Sequence, residues 1–374
     1  MAESPYDLVY LTVDSISEGV GSSQVEPLLT KIAAEGLKVK LINFEKVSPS
    51  SLAQDTLRKS GIEWQYFDFL NHGLGQGIKR VSRLAKAVPD TSLIHGRSEL
   101  GALAGIMSGR APVLWDVRSL WASQREFLSA SQIQKSLYKS LKLVENVCSF
   151  NSSGLSTLTR AVVPILESRH FSLPSERIVV PTNVDLKLFK AVKYFPKAIK
   201  ALFSGTYNDY YDLSLSSRFL RELSCLSKVD VHWARPRESK PTNLGTIESS
   251  VFVASQREMP NIIPEYSFGM SVCKLDAGPS LSAAMPTKAA EFLACGRPIV
   301  INEGLGDLPE IIREFNIGVV LDGSTRSLLE GSVEMLDLLG DKSTPARCRI
   351  AAEKYFDLDA GVKKYLSIYS KISE

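Results

Sequence analysis

Short apolar runs alternate along this chain with longer stretches whose apolar residues recur every three or four positions. The short runs predict strands at 7–13, 39–43, 64–69, 92–95, 112–117, 146–150 and 177–180. The longer stretches predict helices at 22–34, 51–60, 77–88, 100–108, 122–144 and 153–167. The alternation stops between 181 and 200, a stretch that holds Pro181 and Pro196. It resumes with strands at 201–204, 229–233, 250–254, 270–274, 298–301 and 318–321. Helices are predicted there at 213–226, 286–295, 308–315, 327–339 and 359–372.

Strands alternating with helices of this length predict an α/β chain on parallel, doubly wound sheets. The interruption predicts two Rossmann-like domains, 1–190 and 198–355, facing each other across a cleft. A C-terminal helix within 356–374 is expected to pack back toward the first domain. Ligands of such sheets bind beyond the carboxyl ends of the strands, so chemistry is sought in the loops there.

A length of 374 residues exceeds one comfortable core and agrees with two domains. With 44% hydrophobic and 23% charged residues, the chain reads as an ordinary globular protein. A formal charge of +3 is too small to argue for a nucleic-acid partner. The five cysteines show neither metal nor disulfide spacing, and the four histidines lie too far apart for a zinc cluster. With no signal-like start and no apolar run of membrane-spanning length, the expected location is the cytoplasm.

The most informative segment runs from Met285 to Val300. Pro286 suits a first helical position, Ala289 to Ala294 propagate the helix, and Gly296 with Pro298 end it. Lys288 in its first turn meets the positive end of the helix dipole, a placement unfavourable by about 0.3–1 kcal/mol. A phosphate held by the lysine and the free backbone N–H groups, Thr287 among them, would reverse that sign. Glu291 shares the face and can accept from sugar hydroxyls. The alternative is an intrahelical Lys288–Glu291 bridge, worth about 0.2–0.5 kcal/mol.

Three further places put polar groups at strand ends. Gly19-Val-Gly21-Ser22-Ser23 follows the first strand; Gln24 stands where a dinucleotide fingerprint needs its third glycine. Either a tight turn or close approach to a ligand explains these glycines, with Ser22 or Ser23 as a helix cap. His95-Gly-Arg97 and Asp116-Val-Arg118 follow the fourth and fifth strands, where charge is harder to explain by structure alone. His95 reads equally as a satisfied strand-end histidine. At 77–88, Lys79, Arg80, Arg83 and Lys86 oppose an apolar face, which suits either a surface helix or contact with anionic lipid.

The string Pro286-Thr-Lys-Ala-Ala-Glu291, followed by Leu-Ala-Cys-Gly-Arg-Pro298, closely resembles the donor-site helix of glycosyltransferase family 4, retaining nucleotide-sugar enzymes of GT-B fold. Pro181-Thr-Asn-Val-Asp185 is similar to the family's hinge entry, and the Asp116–Trp121 string to a bacterial polysaccharide branch. The resemblance implies a metal-independent glycosyltransferase of the hexosyltransferase type that needs no cofactor. Its partners would be a nucleotide-diphosphate sugar and a glycan or lipid-linked acceptor, in polysaccharide or lipopolysaccharide assembly. Peripheral contact with the inner membrane face goes with such acceptors.

By the same resemblance Lys288, Thr287, Glu291, Gly205 and Gly21 would bind the donor. Gly19, His95 and Arg97 would face the acceptor or sugar, and Asp116 and Arg118 the reacting centre. Two features depart from the family. Thr206 stands where an arginine usually follows Gly205, with no lysine shortly after, and Ala283 replaces the first of two glutamates of which Glu291 is the second. Lys274 and Ser282 are candidate substitutes at the diphosphate, though either can be a plain solvated residue. The departures leave open a degenerate nucleotide-binding protein, and a nucleotide-sugar 2-epimerase shares the fold.

Overall fold

The computed structural model describes residues 4–17, 19–69, 73–129, 131–237 and 249–373. They form two compact units, Met1–Val180 with Asp359–Glu374, and Pro181–Leu358. The change of unit therefore falls at Pro181, ahead of the expected 190. Thr182 Oγ1 donates to the Met285 carbonyl at 2.5 Å, and Val184 bridges to Asp357, which ties this segment into the second unit.

The first unit is built on β1 (Leu8–Leu11), β2 (Val39–Glu45), β3 (Glu63–Asp68), β4 (Ile94–Arg97), β5 (Val113–Val117), β6 (Gly154–Thr157) and β7 (Glu176–Val179). The order is β3-β2-β1-β4-β5-β6-β7, and every pair is parallel. β1, β4, β5 and β6 are buried along their whole length, as parallel strands covered on both faces require. Right-handed crossovers place the helices that follow β3, β4 and β5 on one face of the sheet. These include Leu74–Ala87, Ser98–Ser108 and Lys142–Asn151. The C-terminal segment joins this unit through Lys31–Asp359, 2.7 Å, and a bond from Lys364 Nζ to the Val179 carbonyl, 3.1 Å.

Two expectations fail here. Residues 146–150 are helical within Lys142–Asn151, and the strand is Gly154–Thr157, inside the stretch expected to be helix. The apolar residues Leu143, Val147 and Phe150 recur at helical spacing, while 154–157 must be buried between β5 and β7. The expected single helix 122–144 is broken into Trp121–Phe127, Gln132–Ser140 and the start of Lys142–Asn151.

The second unit holds β8 (Ile199–Ser204), β9 (Val229–Arg235), β10 (Ser250–Val253), β11 (Phe268–Met270), β12 (Ile299–Asn302) and β13 (Gly318–Leu321). Their order is β10-β9-β8-β11-β12-β13, again all parallel. β11 ends at Met270, so most of the expected strand 270–274 is loop. Phe203, Phe219, Trp233, Phe268 and Met270 form the core of this unit. Gly269 lets the helix Thr287–Ala294 lie directly on β11, because a Cβ there would sit 2.6 Å from the Phe292 ring.

Candidate functional site

In the second sheet the strand order reverses between β8 and β11, which makes the loops after these strands the place to look. Gly205 ends β8 with φ +85°, a conformation that favours glycine. Its carbonyl accepts from Trp233 Nε1 at 2.9 Å. The chain then folds back over the sheet: Tyr207 donates to the Met270 carbonyl at 2.7 Å, and Tyr211 bridges to Cys273. The two tyrosine rings lie 4.5 Å apart.

Lys288 reaches these rings from the first turn of Thr287–Ala294. Its Nζ is 4.0 Å from the Tyr207 ring centre and 4.1 Å from that of Tyr211. The ammonium is buried, and among the described residues no hydrogen-bond acceptor meets it. Burial pulls its pKa down to about 7, against smaller opposing pulls from Cys273 and Glu291. Pro286 is the cap rather than the first helical residue, with extended backbone at ψ 127°, and no side chain caps the helix. The N–H groups of its first turn lack a side-chain acceptor for that reason.

Glu291, one turn on, does not bridge to Lys288. It accepts from Gln256 Nε2 at 2.5 Å, and burial raises its pKa to about 7. Nearby, Ser280 Oγ lies 3.2 Å from the Tyr210 hydroxyl, and the Lys274 N–H donates to the Tyr210 carbonyl at 3.0 Å. Ser282 closes the short helix Pro279–Ser282. Asp307 sits at the start of Leu308–Phe315 but makes no capping bond there. Tyr207, Tyr211 and Gln256 were not singled out by sequence reasoning; only the fold brings the two tyrosines to Lys288 and Gln256 to Glu291.

In the first sheet the reversal lies between β1 and β4. The loop after β1 is held by Glu45 at the end of β2, which accepts from Ser15 Oγ at 2.5 Å, the Ile16 N–H at 2.7 Å and Asn43 Nδ2 at 2.6 Å. Gly21 packs against that loop so closely that a Cβ would sit 1.9 Å from the Ser15 carbonyl oxygen. Gly21–Val25 is a π-helical turn rather than a capped α-helix start, and Ser22 Oγ donates to the Gly19 carbonyl at 3.0 Å. Gly19, at φ +55°, is exposed. Glu45 carried no recognisable signal in the sequence.

The structure brings His95, Arg97, Asp116 and Arg118 together. Asp116 is buried: His95 Nε2 lies 3.2 Å from it, Arg118 at 3.6 Å and Arg97 at 4.0 Å, while Ser156 and Tyr365 donate to it at 2.5 and 3.3 Å. Burial pushes its carboxyl up, but Arg118, His95 and Arg97 outweigh that and hold it well below the carboxylate range. His95 is fully enclosed, with Nδ1 2.6 Å from the Tyr369 hydroxyl, and burial lowers its pKa. Its ring therefore has no face open to a sugar, and Asp116 is likewise enclosed. Arg97 is held by Asp14, 2.8 Å away and itself half-buried. Arg118 is the partly exposed member of the set.

No protein-family model and no curated protein matches the chain. Its fold does match solved structures. HepE of Anabaena, in complex with UDP and glucose, superposes with TM-score 0.70 at 13% identity, covering 98% of this chain and 99% of that one. Sucrose-phosphate synthase from Thermosynechococcus elongatus gives TM-score 0.69 at 13% identity, with 98% of each chain covered. A glycosyltransferase from Rickettsia africae gives 0.69 at 14% identity, again with 98% of each covered. The fold is that of the GT-B glycosyltransferases.

Proposed function

We propose that this protein is a retaining glycosyltransferase of the family 4 type, moving a sugar from a nucleotide-diphosphate donor to a glycan or lipid-linked acceptor in polysaccharide or lipopolysaccharide assembly. The observation that carries the reading is Lys288: a buried ammonium with no hydrogen-bonded acceptor among the described residues, at the start of a helix without a side-chain cap. A cation so placed is costly unless an anion meets it. A diphosphate would satisfy both the ammonium and the open backbone N–H groups.

In this reading the leaving diphosphate gains charge as the glycosidic bond stretches, and Lys288 stabilises it with the N-terminal N–H groups of its helix. Glu291, held by Gln256, accepts from the ribose hydroxyls. Arg118 faces the sugar, with Asp116 positioning it, and Gly19 and Gly21 let backbone approach donor and acceptor. The leaving phosphate takes the acceptor's proton, so no carboxylate serves as nucleophile. Structural neighbours solved with UDP and UDP-glucose make uridine nucleotides the first to test.

The absence of the usual cation after Gly205, and a buried Ala283 in place of the first glutamate, favour a second reading: a GT-B protein that binds nucleotide without transfer. A thermal-shift panel of UDP, GDP, ADP and CDP tests the shared part, since a ligand that binds only the folded state raises its melting temperature. Slow hydrolysis of one matching nucleotide sugar then supports the transferase. Stabilisation without turnover supports the second reading, and no stabilisation by any nucleotide defeats both.

A further inference from the structure

The first unit carries an inverted helix. On Lys142–Asn151 the side chains turned inward include Glu145, Cys148 and Ser149, whereas Leu143, Val147 and Phe150 point to solvent. Leu143 is 66% exposed and Phe150 74%. A soluble helix normally does the opposite. The neighbouring helix Gln132–Ser140 repeats the pattern, with Ile133 82% exposed and Leu137 beside it at the next turn. Lys142–Asn151 packs on Ser98–Ser108, and Ser98–Ser108 on Leu74–Ala87, so these helices form one continuous layer. Ile78 on Leu74–Ala87 adds a further protruding apolar side chain, 73% exposed.

The charge on that layer has one sign. Lys79, Arg83, Lys86 and Lys139 are exposed, and the acidic residues of the four helices are Glu99 and Glu145, both buried. Exposed apolar residues alone would suit a protein partner or a membrane. Protruding apolar side chains at one side of the layer and exposed basic groups chiefly at the other, with no exposed acid on these four helices, match an anionic lipid surface: the apolar groups enter the acyl boundary and the cations meet the headgroups.

We infer that this helical layer, led by Leu143, Phe150 and Ile133, is a docking surface for an anionic membrane. The inference stands apart from the donor-site reading and needs no nucleotide. The full chain is floated with vesicles of phosphatidylcholine, alone or mixed with phosphatidylglycerol. It is expected to rise with the phosphatidylglycerol vesicles only, and less so as salt screens the charges. Leu143→Asp with Phe150→Asp should abolish flotation. Arg83→Glu with Lys86→Glu should weaken it by about tenfold or more. Both double variants replace exposed residues and should melt like the parent chain. Failure to float with phosphatidylglycerol vesicles at low salt, or flotation unaffected by either double variant, overturns the inference. So does a dimer in sedimentation that Phe150→Asp dissociates, because a second copy would then be the occupant.

Discussion

The Lys288 ammonium lies 4.1 Å from the centre of the Tyr211 ring and gives no hydrogen bond to any acceptor among the described residues. Desolvation brings its pKa down to about 7. The aromatic faces offset part of the lost hydration, a contribution of about 2 kcal/mol for a desolvated pair. A nucleotide diphosphate would favour the charged form and raise that pKa, so binding should take up a proton. Affinity should be greatest below pH 7 and fall by about tenfold per pH unit above it, until the bound-state pKa is passed. Calorimetric titration with UDP between pH 7 and 9, where the phosphates are already ionised, reads this directly. Lys288→Met should flatten the profile, and an unchanged slope in that variant would place the titrating group elsewhere.

Glu291 gives a second pH signature, in stability. Its folded pKa is raised to about 7 by burial, so the cost of ionising it is absent below its unfolded value and fully present above about pH 7. Stability from this group therefore falls as pH rises through that window. The cost is at most about 3 kcal/mol, from the size of the shift. Glu291→Gln keeps the shape and removes the cost. It should melt at or above the parent temperature at pH 8, and below pH 4.5 the two should converge. Transfer should nevertheless drop sharply, because Gln cannot replace a ribose-binding carboxylate. Loss of stability together with activity would instead point to a structural role for the Glu291–Gln256 pair.

Asp116 has the opposite sign. Its carboxyl is held low by Arg118, His95 and Arg97 despite burial, so it contributes stability that is present above the unfolded carboxylate pKa and lost as pH falls below it. Asp116→Asn leaves Arg118 short of its counter-charge, while Arg97 keeps Asp14, and should cost about 3–5 kcal/mol. Arg118→Ala should cost less stability, since Asp116 keeps His95, Ser156 and Tyr365. If Arg118 faces the sugar, that variant should lose transfer more than it loses melting temperature. Denaturant unfolding of both variants beside a transfer assay decides the order.

Most strands of both sheets were legible because they are apolar runs with turn signals at each end, and Lys288 was legible because a cation in a helix's first turn breaks a local rule. The tyrosines around it were not. Tyr207 and Tyr211 reach Lys288 only after β8 and β11 pair and the intervening chain folds back, a relation that no local spacing encodes. Gln256 and Glu45 are similar cases, each a single polar residue whose partner lies far along the chain. The error at 146–150 has a different source. Val147, Cys148 and Phe150 look like a buried strand unless it is known that Cys148 faces inward and the other two do not. Periodicity identifies an apolar face but not whether the molecule covers it.

The glycine loop offers the sharpest steric prediction. A Cβ on Gly21 would meet backbone on the far side, 1.9 Å from the Ser15 oxygen and 2.7 Å from Ile16 Cα. That backbone cannot retreat cheaply, because Glu45 holds it through the Ser15 hydroxyl and the Ile16 N–H in a buried network. Gly21→Ala should therefore cost more than the ~1–3 kcal/mol usual for an overpacked side-chain contact. Gly19→Ala meets no atom within 4 Å and carries only the strain of φ +55°, about 1–2 kcal/mol. The expected order of melting temperatures is parent, then Gly19→Ala, then Gly21→Ala well below. Glu45→Ala should soften the penalty at Gly21 while destabilising the parent chain. The double variant, less stable than the parent but by less than the sum of the two single changes, would demonstrate that coupling. Strict additivity would mean that the loop yields without Glu45 giving way.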